Sequence, residues 1–355
     1  MYRNALVTCL LIIASAVDFK QSFVLSEVSK DLEQAADALM QLARDNSWTL
    51  GLLIFLAVLL VLTKIINPSY GPTGVQGLAN SVLYLALATV AQAIVVISGG
   101  IDLSVASVMA LTSCITARLM QGQSPEFGVL VVIGVLALGL VLGAINGGLV
   151  VLTRVPDIIV TLATSFVYAG FALLVLQAPG GQTAKWLKDL VIGPLGNEWI
   201  PKAAVALIVV VAVIWIPVSR SRWGLSLYAI GSNQLAAFRS GVSTGRTKIF
   251  AYTLGGLFAT LGGLALAAGT GVGTPVPEPT YVLLSIAAVV LGGVSLAGGV
   301  GGVFGPLVAV IVLELIRNDI IFLRVNSNYA LVLQGLILIG VLVVASLVQM
   351  RRSRA

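Results

Sequence analysis

Long apolar stretches alternate with short polar segments along most of this 355-residue chain. A helix needs about 20 predominantly apolar residues to cross the hydrocarbon core of a bilayer, and most of these stretches approach that length. The pattern predicts an all-α, polytopic transmembrane helical bundle of about ten spans. The predicted spans are Trp48 to Ile66, Leu78 to Ile97, Leu103 to Met120, Phe127 to Leu152, Ile158 to Leu176, Ala203 to Val218, Ile249 to Ala268, Tyr281 to Leu296, Val303 to Phe322 and Tyr329 to Met350.

Two terminal segments lie outside this predicted bundle. Residues 1–47 contain a short apolar stretch, for which a signal peptide, a weak anchor and an interfacial segment all remain open. A polar segment with helical spacing follows and predicts an amphipathic helix on the cytoplasmic surface. Residues 48–350 form the transmembrane domain with a polar loop at 219–248, and residues 351–355 form a basic cytoplasmic tail.

Composition supports a membrane protein and narrows its function. Hydrophobic residues make up 58% of the chain and charged residues 10%, whereas a soluble domain carries about 25% charged residues. The chain has no histidine, no GxxxxGK[ST] phosphate-binding loop and no HExxH or CxxC motif. We therefore expect no metal, no cofactor bound by this chain and no enzyme activity, and transport fits better.

Basic residues are concentrated at the predicted ends of the spans. About 13 of the 20 fall on the side that carries the N-terminal helix, Arg154, the 219–248 loop and the tail. Cytoplasmic loops carry an excess of Lys and Arg, so this side is predicted to be cytoplasmic, with both termini inside. The net charge of +6 follows from this topology and does not indicate nucleic-acid binding.

One stretch, SGGIDLSVAS, places two glycines and a carboxylate between apolar runs. Gly99 and Gly100 interrupt the helical pattern, and Asp102 with Ser104 can cap the helix predicted from Leu103. An uncompensated carboxylate in the membrane costs about 2.5–3.5 kcal/mol on insertion scales, so Asp102 should face protein or water. Two interpretations remain open: a capped interfacial turn, and a broken helix that lines a translocation pathway.

A later stretch has a similar pattern. VVLGGVSLAGGVGG, Val289 to Gly302, repeats the apolar run, the glycine pair and the following polar residue of VVISGGIDLSVAS, Val95 to Ser107. Transporters are often built from repeated halves, so an internal repeat with broken helices is one interpretation. Chance similarity between glycine-rich segments is the other, and the second copy has Ser295 in place of the carboxylate.

Polar side chains inside the predicted spans are candidates for lining a pathway. Besides Ser104 these are Gln92, Asn146, Thr161, Thr164 and Ser165. The last three share one helical face because they lie three and four residues apart. Hydrogen bonding between helices of the bundle is the alternative role for each of them.

Two further carboxylates have structural explanations. Asp157 follows a proline at the start of a predicted span, where its charge complements the helix dipole. Glu314 precedes Arg317 by three residues within an apolar span, which predicts an ion pair along the helix. A gating role for Glu314 is the alternative.

The polar loop contains the sequence LYAIGSNQLAAFRSG. Its centre, Gln234 to Arg239, has helical character, Gly231 and Gly241 bound it, and Asn233 is placed to cap it. Loops between spans are usually short, so a structured helix here indicates a docking surface. A solvated basic loop that only determines topology is the alternative.

Four motifs occur in an order that resembles one known family of membrane proteins. They are SGGIDLSVAS, RVPDIIVTLAT, AIGSNQLAAFRSGV and SIAAVVLGGVSLAGGVGGVFG, and the resemblance covers nearly all of Trp48 to Val348. The chain resembles the ribose-type sugar permeases of ATP-binding-cassette importers. It departs from them at Ala106, where the family usually has glycine, and at Ser232, where the coupling loop often has a second glycine.

The resemblance implies the membrane subunit of an importer for a pentose, a hexose or a related polyol in a bacterial inner membrane. A second permease copy, identical or related, would complete the pathway. A cytoplasmic subunit with tandem nucleotide-binding domains would hydrolyse ATP, and a periplasmic or lipid-anchored binding protein would deliver the sugar. The AIGSNQLAA segment would be the coupling helix in a cleft of the ATPase, formed around Gly231, Asn233, Ala236, Ala237, Arg239 and Gly241.

The mechanism expected from this resemblance is alternating access without chemistry on the substrate, along a weakly polar path. An ion-coupled secondary transporter of a small polar solute is the alternative function. It would depend on membrane carboxylates that titrate, for which only Asp102 and Glu314 are suited. A membrane enzyme such as a lipid-modifying transferase is a third class, which the missing motifs disfavour.

Overall fold

The computed structural model describes residues 47–277 and 279–324, together with the helical positions 329, 332, 335, 336, 339, 340 and 343. The chain divides into two compact units, Met1–Gly51 and Leu52–Ala355. Of the first unit only residues 47–51 are described. Most of the predicted N-terminal segment, most of the last predicted span and the basic tail therefore lie outside the described residues.

The described part of the chain is almost entirely helical, with one short hairpin of two strands. In chain order its elements are α1 (Ser47–Ile66), α2 (Pro72–Ile97), α3 (Val105–Met120), α4 (Pro125–Thr153), α5 (Asp157–Val175), α6 (Lys185–Val191), β1 (Pro194–Leu195), β2 (Asn197–Pro201), α7 (Lys202–Ser219), α8 (Arg222–Ser232), α9 (Gln234–Arg239), α10 (Thr244–Thr270), α11 (Pro279–Leu291) and α12 (Phe304–Phe322).

Six of the described helices are long and apolar enough to cross a membrane, namely α1, α2, α4, α5, α7 and α10. α3 and α11 are apolar but shorter. α12 is long enough to cross, but its three charged residues, Glu314, Arg317 and Asp319, set it apart from these six helices. The helical membrane bundle is thus confirmed, whereas the predicted number of about ten spans is not confirmed by the described residues.

Proline, serine and glycine determine where several helices begin and end. Pro72 opens α2 and Pro125 opens α4, where the missing N–H costs nothing because the first N–H groups of a helix have no partner within it. The Ser124 side chain caps α4 by accepting a hydrogen bond from the Phe127 N–H (3.4 Å). α10 ends at Thr270 and is followed by the capping residue Gly271, whose φ of 79° lies in the left-handed region.

α2 and α10 form the centre of the bundle. Both are largely buried, and α10 packs against α2, α3 and α4. Its contact with α4 is close because Gly139, Gly143 and Gly147 recur every fourth residue and lie against the backbone of α10. A Cβ atom on Gly143 would lie 2.9 Å from the Thr253 Cα, so glycine is what allows this approach.

Several predicted boundaries are wrong. α3 begins at Val105, two residues after the predicted start, because residues 98–104 form a turn. α11 ends at Leu291 because the glycine pair that follows closes the helix, so Leu296 lies outside it. The loop after α5 holds a helix and a hairpin, α6 and β1–β2, and the polar insertion holds α8 in addition to the predicted α9.

The described bundle has two distinguishable ends. At one, called the hairpin end, the Gly180 and Gly273 backbones pair, and the Gln76 side chain donates to the Glu198 carbonyl of β2 (2.9 Å). The other, called the turn end, holds residues 98–104 together with the starts of α3, α5 and α10. All the glycine-rich motifs singled out from the sequence meet at the turn end.

Candidate functional site

The helix break predicted in SGGIDLS is a tight turn between α2 and α3. Gly99 has a φ of 78°, a conformation that glycine adopts without strain. Its N–H donates to the Val96 carbonyl (2.9 Å), and the Gly100 N–H donates to the Val95 carbonyl (3.0 Å). This pair of bonds is a Schellman ending, which satisfies two carbonyls that the helix leaves open. The predicted break is therefore confirmed.

Asp102 is buried in the same turn. Its Oδ1 accepts hydrogen bonds from the N–H (2.8 Å) and the hydroxyl (2.6 Å) of Ser104. Since α3 begins at Val105 and the Ser104 side chain makes no capping bond to it, the two polar residues stabilise the turn and do not cap the helix. The prediction that they cap a helix from Leu103 is wrong.

A chain of buried hydrogen bonds connects this turn to α4 and α5. The Asn146 amide donates to Ser104 Oγ (2.7 Å), and Tyr168 Oη donates to Asn146 Oδ1 (3.0 Å). Asp102, Ser104, Asn146 and Tyr168 are all buried, so their bonds replace those that water would make. Tyr168 was not predicted, because one tyrosine in an apolar span gives no pattern that separates it from core.

Among the other predicted pathway residues, Thr161 contacts the turn. Its hydroxyl oxygen accepts a hydrogen bond from the Leu103 N–H (3.0 Å). Thr164 and Ser165 donate to carbonyls of their own helix, and Ser165 is only half-buried. Gln92 is fully buried within α2, and its amide has no hydrogen-bond partner within the described part of the chain. The structure therefore groups Asp102, Ser104, Asn146 and Thr161, and leaves the other three apart.

Three side chains from α5 and α10, called the clamp here, hold one face of the turn: Asp157, Lys248 and Tyr252. Lys248 Nζ lies 2.8 Å from Asp157 Oδ2, and Tyr252 Oη donates to the same oxygen (2.7 Å). Lys248 also donates to the Gly99 carbonyl (3.3 Å), and Tyr252 Oη lies 3.4 Å from the Ile101 carbonyl. Asp157 is the first residue of α5, as predicted, but its two partners are distant in sequence and were not predicted.

Glycines from three segments meet at another face of the turn. These residues, Gly99, Gly231, Gly298 and Gly299, are called the glycine junction here. The Gly299 N–H donates to the Ile97 carbonyl (2.9 Å). A Cβ on Gly298 would lie 2.9 Å from the Gly99 Cα and 3.0 Å from the Gly231 Cα, and a Cβ on Gly231 would overlap the Ile97 carbonyl oxygen. The segments therefore contact one another through backbone atoms.

The similarity between the two glycine-rich stretches has a structural counterpart. Gly293 has a φ of 85° and its N–H donates to the Val290 carbonyl (3.0 Å), while the Val294 N–H donates to the Val289 carbonyl (3.1 Å). This is the same Schellman ending as at Gly99. The two stretches thus share a helix ending, and they contact each other at the glycine junction.

The helix predicted from Gln234 to Arg239 is present as α9. Asn233 caps it as predicted, since its Oδ1 accepts a hydrogen bond from the Ala236 N–H (2.9 Å). Gly241 follows with a φ of 85°, which turns the chain toward α10. Local sequence signals were sufficient for this element because its cap and its stop both lie next to it.

α9 projects its side chains away from the described bundle. Ala237 is buried, whereas the other α9 residues are exposed. Leu235 and Phe238 are 59% and 65% exposed, and Arg239 adds a positive charge beside them. Exposed apolar side chains on a short charged helix are typical of a surface that a protein partner covers.

α8 is fastened to the glycine-rich turn before α12. Tyr228 Oη donates to the Gly301 carbonyl (3.0 Å). Burial raises the pKa of the Tyr228 hydroxyl above its ordinary value, so the hydroxyl keeps the proton that it donates. Gly231 lies on the same helix and packs against Gly299, so two residues of α8 contact this glycine-rich turn.

The other ion pair of the described bundle lies within a single helix, α12. Arg317 Nη1 lies 3.8 Å from Glu314 Oε1, so the predicted i, i+3 ion pair is confirmed. In the part of the chain that the structure describes, no group of three or more Asp, Glu, Cys or His residues is arranged to hold a metal ion.

Comparison with known proteins gives a consistent result. Residues 74–342 match a family described as the permease component of the branched-chain amino acid transport system. The chain is 34% identical over 295 residues to the ribose import permease protein RbsC of Bacillus subtilis, covering 82% of this chain and 90% of that protein. It is 31% identical to RbsC of Escherichia coli K12 over 82% of this chain and 92% of that protein. It is 30% identical to the D-allose transport system permease protein AlsC of the same strain over 69% of this chain and 74% of that protein. No solved structure matches.

Proposed function

Since the chain belongs to this transport-system permease family and, within it, to the ribose-type permeases of ATP-binding-cassette importers, we propose that it carries a monosaccharide or a related polyol into the cell. It acts as the membrane subunit, by alternating access. It makes and breaks no bond in the substrate, and a separate subunit hydrolyses ATP.

The observation that carries this proposal is the likeness to sugar permeases over most of both chains. The family description alone names branched-chain amino acids. The relatives named above are permeases for ribose import or D-allose transport. A further relative, from Haemophilus influenzae, is 31% identical to this chain and is a galactose and methyl galactoside import permease. A sugar is therefore favoured over an amino acid.

The α8–α9 segment supports coupling to an ATPase. Leu235 and Phe238 are exposed beyond the bundle, while the backbone at Gly231 is packed against the 98–104 turn. One end of the segment is thus available to a partner and the other lies against the helices. We assign the partner as a subunit with tandem nucleotide-binding domains, which α9 enters as a coupling helix.

Orientation follows from the same assignment. The turn end lies on the cytoplasmic side of a bacterial inner membrane, where Arg154, Arg220, Arg222 and Arg246 lie close to the ends of spans. The hairpin end then faces a periplasmic or lipid-anchored sugar-binding protein. Both termini are cytoplasmic, and ten spans result if α3, α11, α12 and the predicted last span, Tyr329 to Met350, also cross.

The hydrogen-bonded group of Asp102, Ser104, Asn146 and Thr161 is proposed as structural support at the inner mouth of the pathway. Its members bond one another or the 98–104 turn, so they keep the α2–α3 connection in place and leave few groups free for a sugar. A second permease copy, identical or related, completes the pathway. Gln92, whose amide is unpaired among the described residues, remains the candidate for direct contact in another conformation.

Uptake in proteoliposomes tests this function. The full chain, co-purified with its ATP-hydrolysing subunit, is reconstituted with the sugar-binding protein, and radiolabelled D-ribose, D-allose, D-galactose and L-leucine are supplied in parallel. We expect uptake of at least one sugar that requires ATP and persists when an ionophore dissipates ion gradients. Uptake driven by an ion gradient without ATP would support the secondary-transporter alternative, and ATP-driven uptake of leucine alone would contradict the substrate class.

A further inference from the structure

We propose that the clamp of Asp157, Lys248 and Tyr252 is the joint that transmits movement of the α8–α9 segment to the membrane helices α5 and α10. This inference rests on the proposed function, because it concerns how ATP hydrolysis on a partner changes the conformation of the bundle. It assigns positioning roles to three residues that bind no substrate.

The first link, from α8 to the 98–104 turn, has no flexible side chain in it. Gly231 of α8 packs against the Ile97 carbonyl and the Gly299 backbone, and Gly298 lies against Gly99. A Cβ atom at these positions would have to displace backbone atoms, so the segments are packed closely with no gap between them. Any displacement of α8 toward the bundle must therefore move the turn.

The second link, from the turn to α5 and α10, is polar. Lys248 bonds both the Gly99 carbonyl and the Asp157 carboxylate, so one ammonium group joins the turn to the first residue of α5. Tyr252, one helical turn further along α10, donates to the same carboxylate oxygen. A movement of Gly99 thus reaches both α5 and α10 through the ion pair of Lys248 and Asp157.

The charges of the clamp are placed for this role. The side chains of Lys248 and Asp157 are only 14% and 18% exposed, so solvent screens their attraction less than that of a surface pair. Asp157 at the start of α5 is favoured by the helix dipole, whereas a cation in the first turns of α10 gains nothing from its own helix. The position of Lys248 is therefore explained by its partners.

The clamp is distinct from the other ion pair of the described bundle. Glu314 and Arg317 lie on one helix, three residues apart, so their attraction cannot couple two helices. Asp157 and Lys248 lie on different helices, and Lys248 also contacts a third segment, the 98–104 turn. Removing Arg317 would leave the buried Glu314 without its partner, so the exposed Lys188 on α6 provides the matched control charge.

The test compares uptake of the transported sugar per ATP hydrolysed in the reconstituted full complex. Asp157→Asn and Lys248→Met remove one charge each, the double variant removes both, and Lys248→Arg keeps the charge. Tyr252→Phe removes one hydrogen bond and serves as the mildest change. Lys188→Met, which removes an exposed charge on α6, is the control.

We expect Asp157→Asn, Lys248→Met and the double variant to co-purify with the ATPase and hydrolyse ATP, while sugar uptake per ATP falls about tenfold, within the range of coupling between linked sites. Lys248→Arg should retain most of the coupling, Tyr252→Phe should show a smaller loss, and Lys188→Met should match the unmodified chain. Loss of ATP hydrolysis in step with uptake would show a general defect and contradict the proposal.

Other outcomes overturn it in distinguishable ways. Recovery of coupling in the double variant would mean that the single variants suffer only from an unpaired buried charge. Equilibration of sugar without ATP would make the clamp a gate that seals the pathway. Normal coupling in Asp157→Asn would show that the turn moves α5 without the pair. Failure of the unmodified chain to take up any sugar with ATP would instead remove the proposed function.

Discussion

At the scale of single residues, Asp102 shows how a carboxylate is accommodated in an apolar chain. It is buried, yet one of its oxygens accepts two hydrogen bonds from Ser104, and the network continues to Asn146 and Tyr168. Hydrogen bonds to charged groups contribute about 1.5–3 kcal/mol, against roughly 1 kcal/mol for neutral ones. These hydrogen bonds hold together the turn in which Asp102 lies.

Replacing Asp102 by Asn tests this role. The amide oxygen still accepts both bonds but without charge, so we expect the free energy of unfolding to fall by about 1–2 kcal/mol and uptake to fall with it. Thermal melting of the purified permease and uptake per folded molecule measure the two effects. Asp189→Asn, an exposed carboxylate on α6, is the control. Unchanged melting and uptake in Asp102→Asn would show that the charge is dispensable.

Gly231 is the residue at which we expect the smallest change to have the largest effect on transport. In Gly231→Ala the new Cβ would overlap the Ile97 carbonyl oxygen, so the glycine junction must open at a cost of about 1–3 kcal/mol. We expect uptake to be lost while the protein still inserts in the membrane, and a bulkier residue at Gly231 or at the buried Ala237 should do the same. Gly302→Ala, where a Cβ meets nothing within 4 Å, should leave uptake intact.

Residue-level predictions from the sequence succeeded where the relevant partner is local. The glycine break at Gly99, the Asn233 cap and the Glu314–Arg317 pair each depend on neighbours within five residues. The predicted capping role of Asp102 was wrong because α3 begins at Val105, two residues after the predicted start. A pair of glycines indicates that a helix ends but not how long the following turn is.

At the scale of elements, α4 and α10 are joined by a glycine face. Gly143→Leu places a side chain against the α10 backbone, so we expect the helices to separate and the yield of folded permease to fall severely, with a cost above about 3 kcal/mol. Gly134→Leu on the same helix is the matched control, because a Cβ there meets nothing within 4 Å. Size-exclusion profiles and melting curves compare the two, and equal behaviour would contradict the role of this face.

α9 is the element whose exposed face should decide partner binding. Phe238→Glu removes an apolar side chain that is 65% exposed, so the fold should be unaffected while co-purification of the ATPase falls at least about tenfold, as for a central contact of an interface. Leu195→Glu at the hairpin end, where Leu195 is 50% exposed, should leave co-purification unchanged. Equal ATPase yield from both variants would place the docking surface elsewhere.

At the scale of the whole molecule, the turn end and the hairpin end should lie on opposite sides of the membrane. With Cys9 replaced by Ser and Cys114 buried, new cysteines report their side by reaction with a membrane-impermeant maleimide. We expect Asn197→Cys to react in intact cells and Ser240→Cys to react only after the membrane is opened. The reverse pattern would invert the topology and remove α9 from the cytoplasm.

The amino-acid sequence by itself determined the membrane class, most helices, the break between α2 and α3, and α9 with its cap. Each of these depends on composition or on residues next to one another, so a short segment of the sequence is enough to predict it. The tertiary structure alone decided that Gly99, Gly231 and Gly299 meet, that Lys248 and Tyr252 share the Asp157 carboxylate, and that Tyr168 completes the Asp102 network. Those contacts join residues far apart in sequence, and helix packing, which no local pattern specifies, is what brings them together.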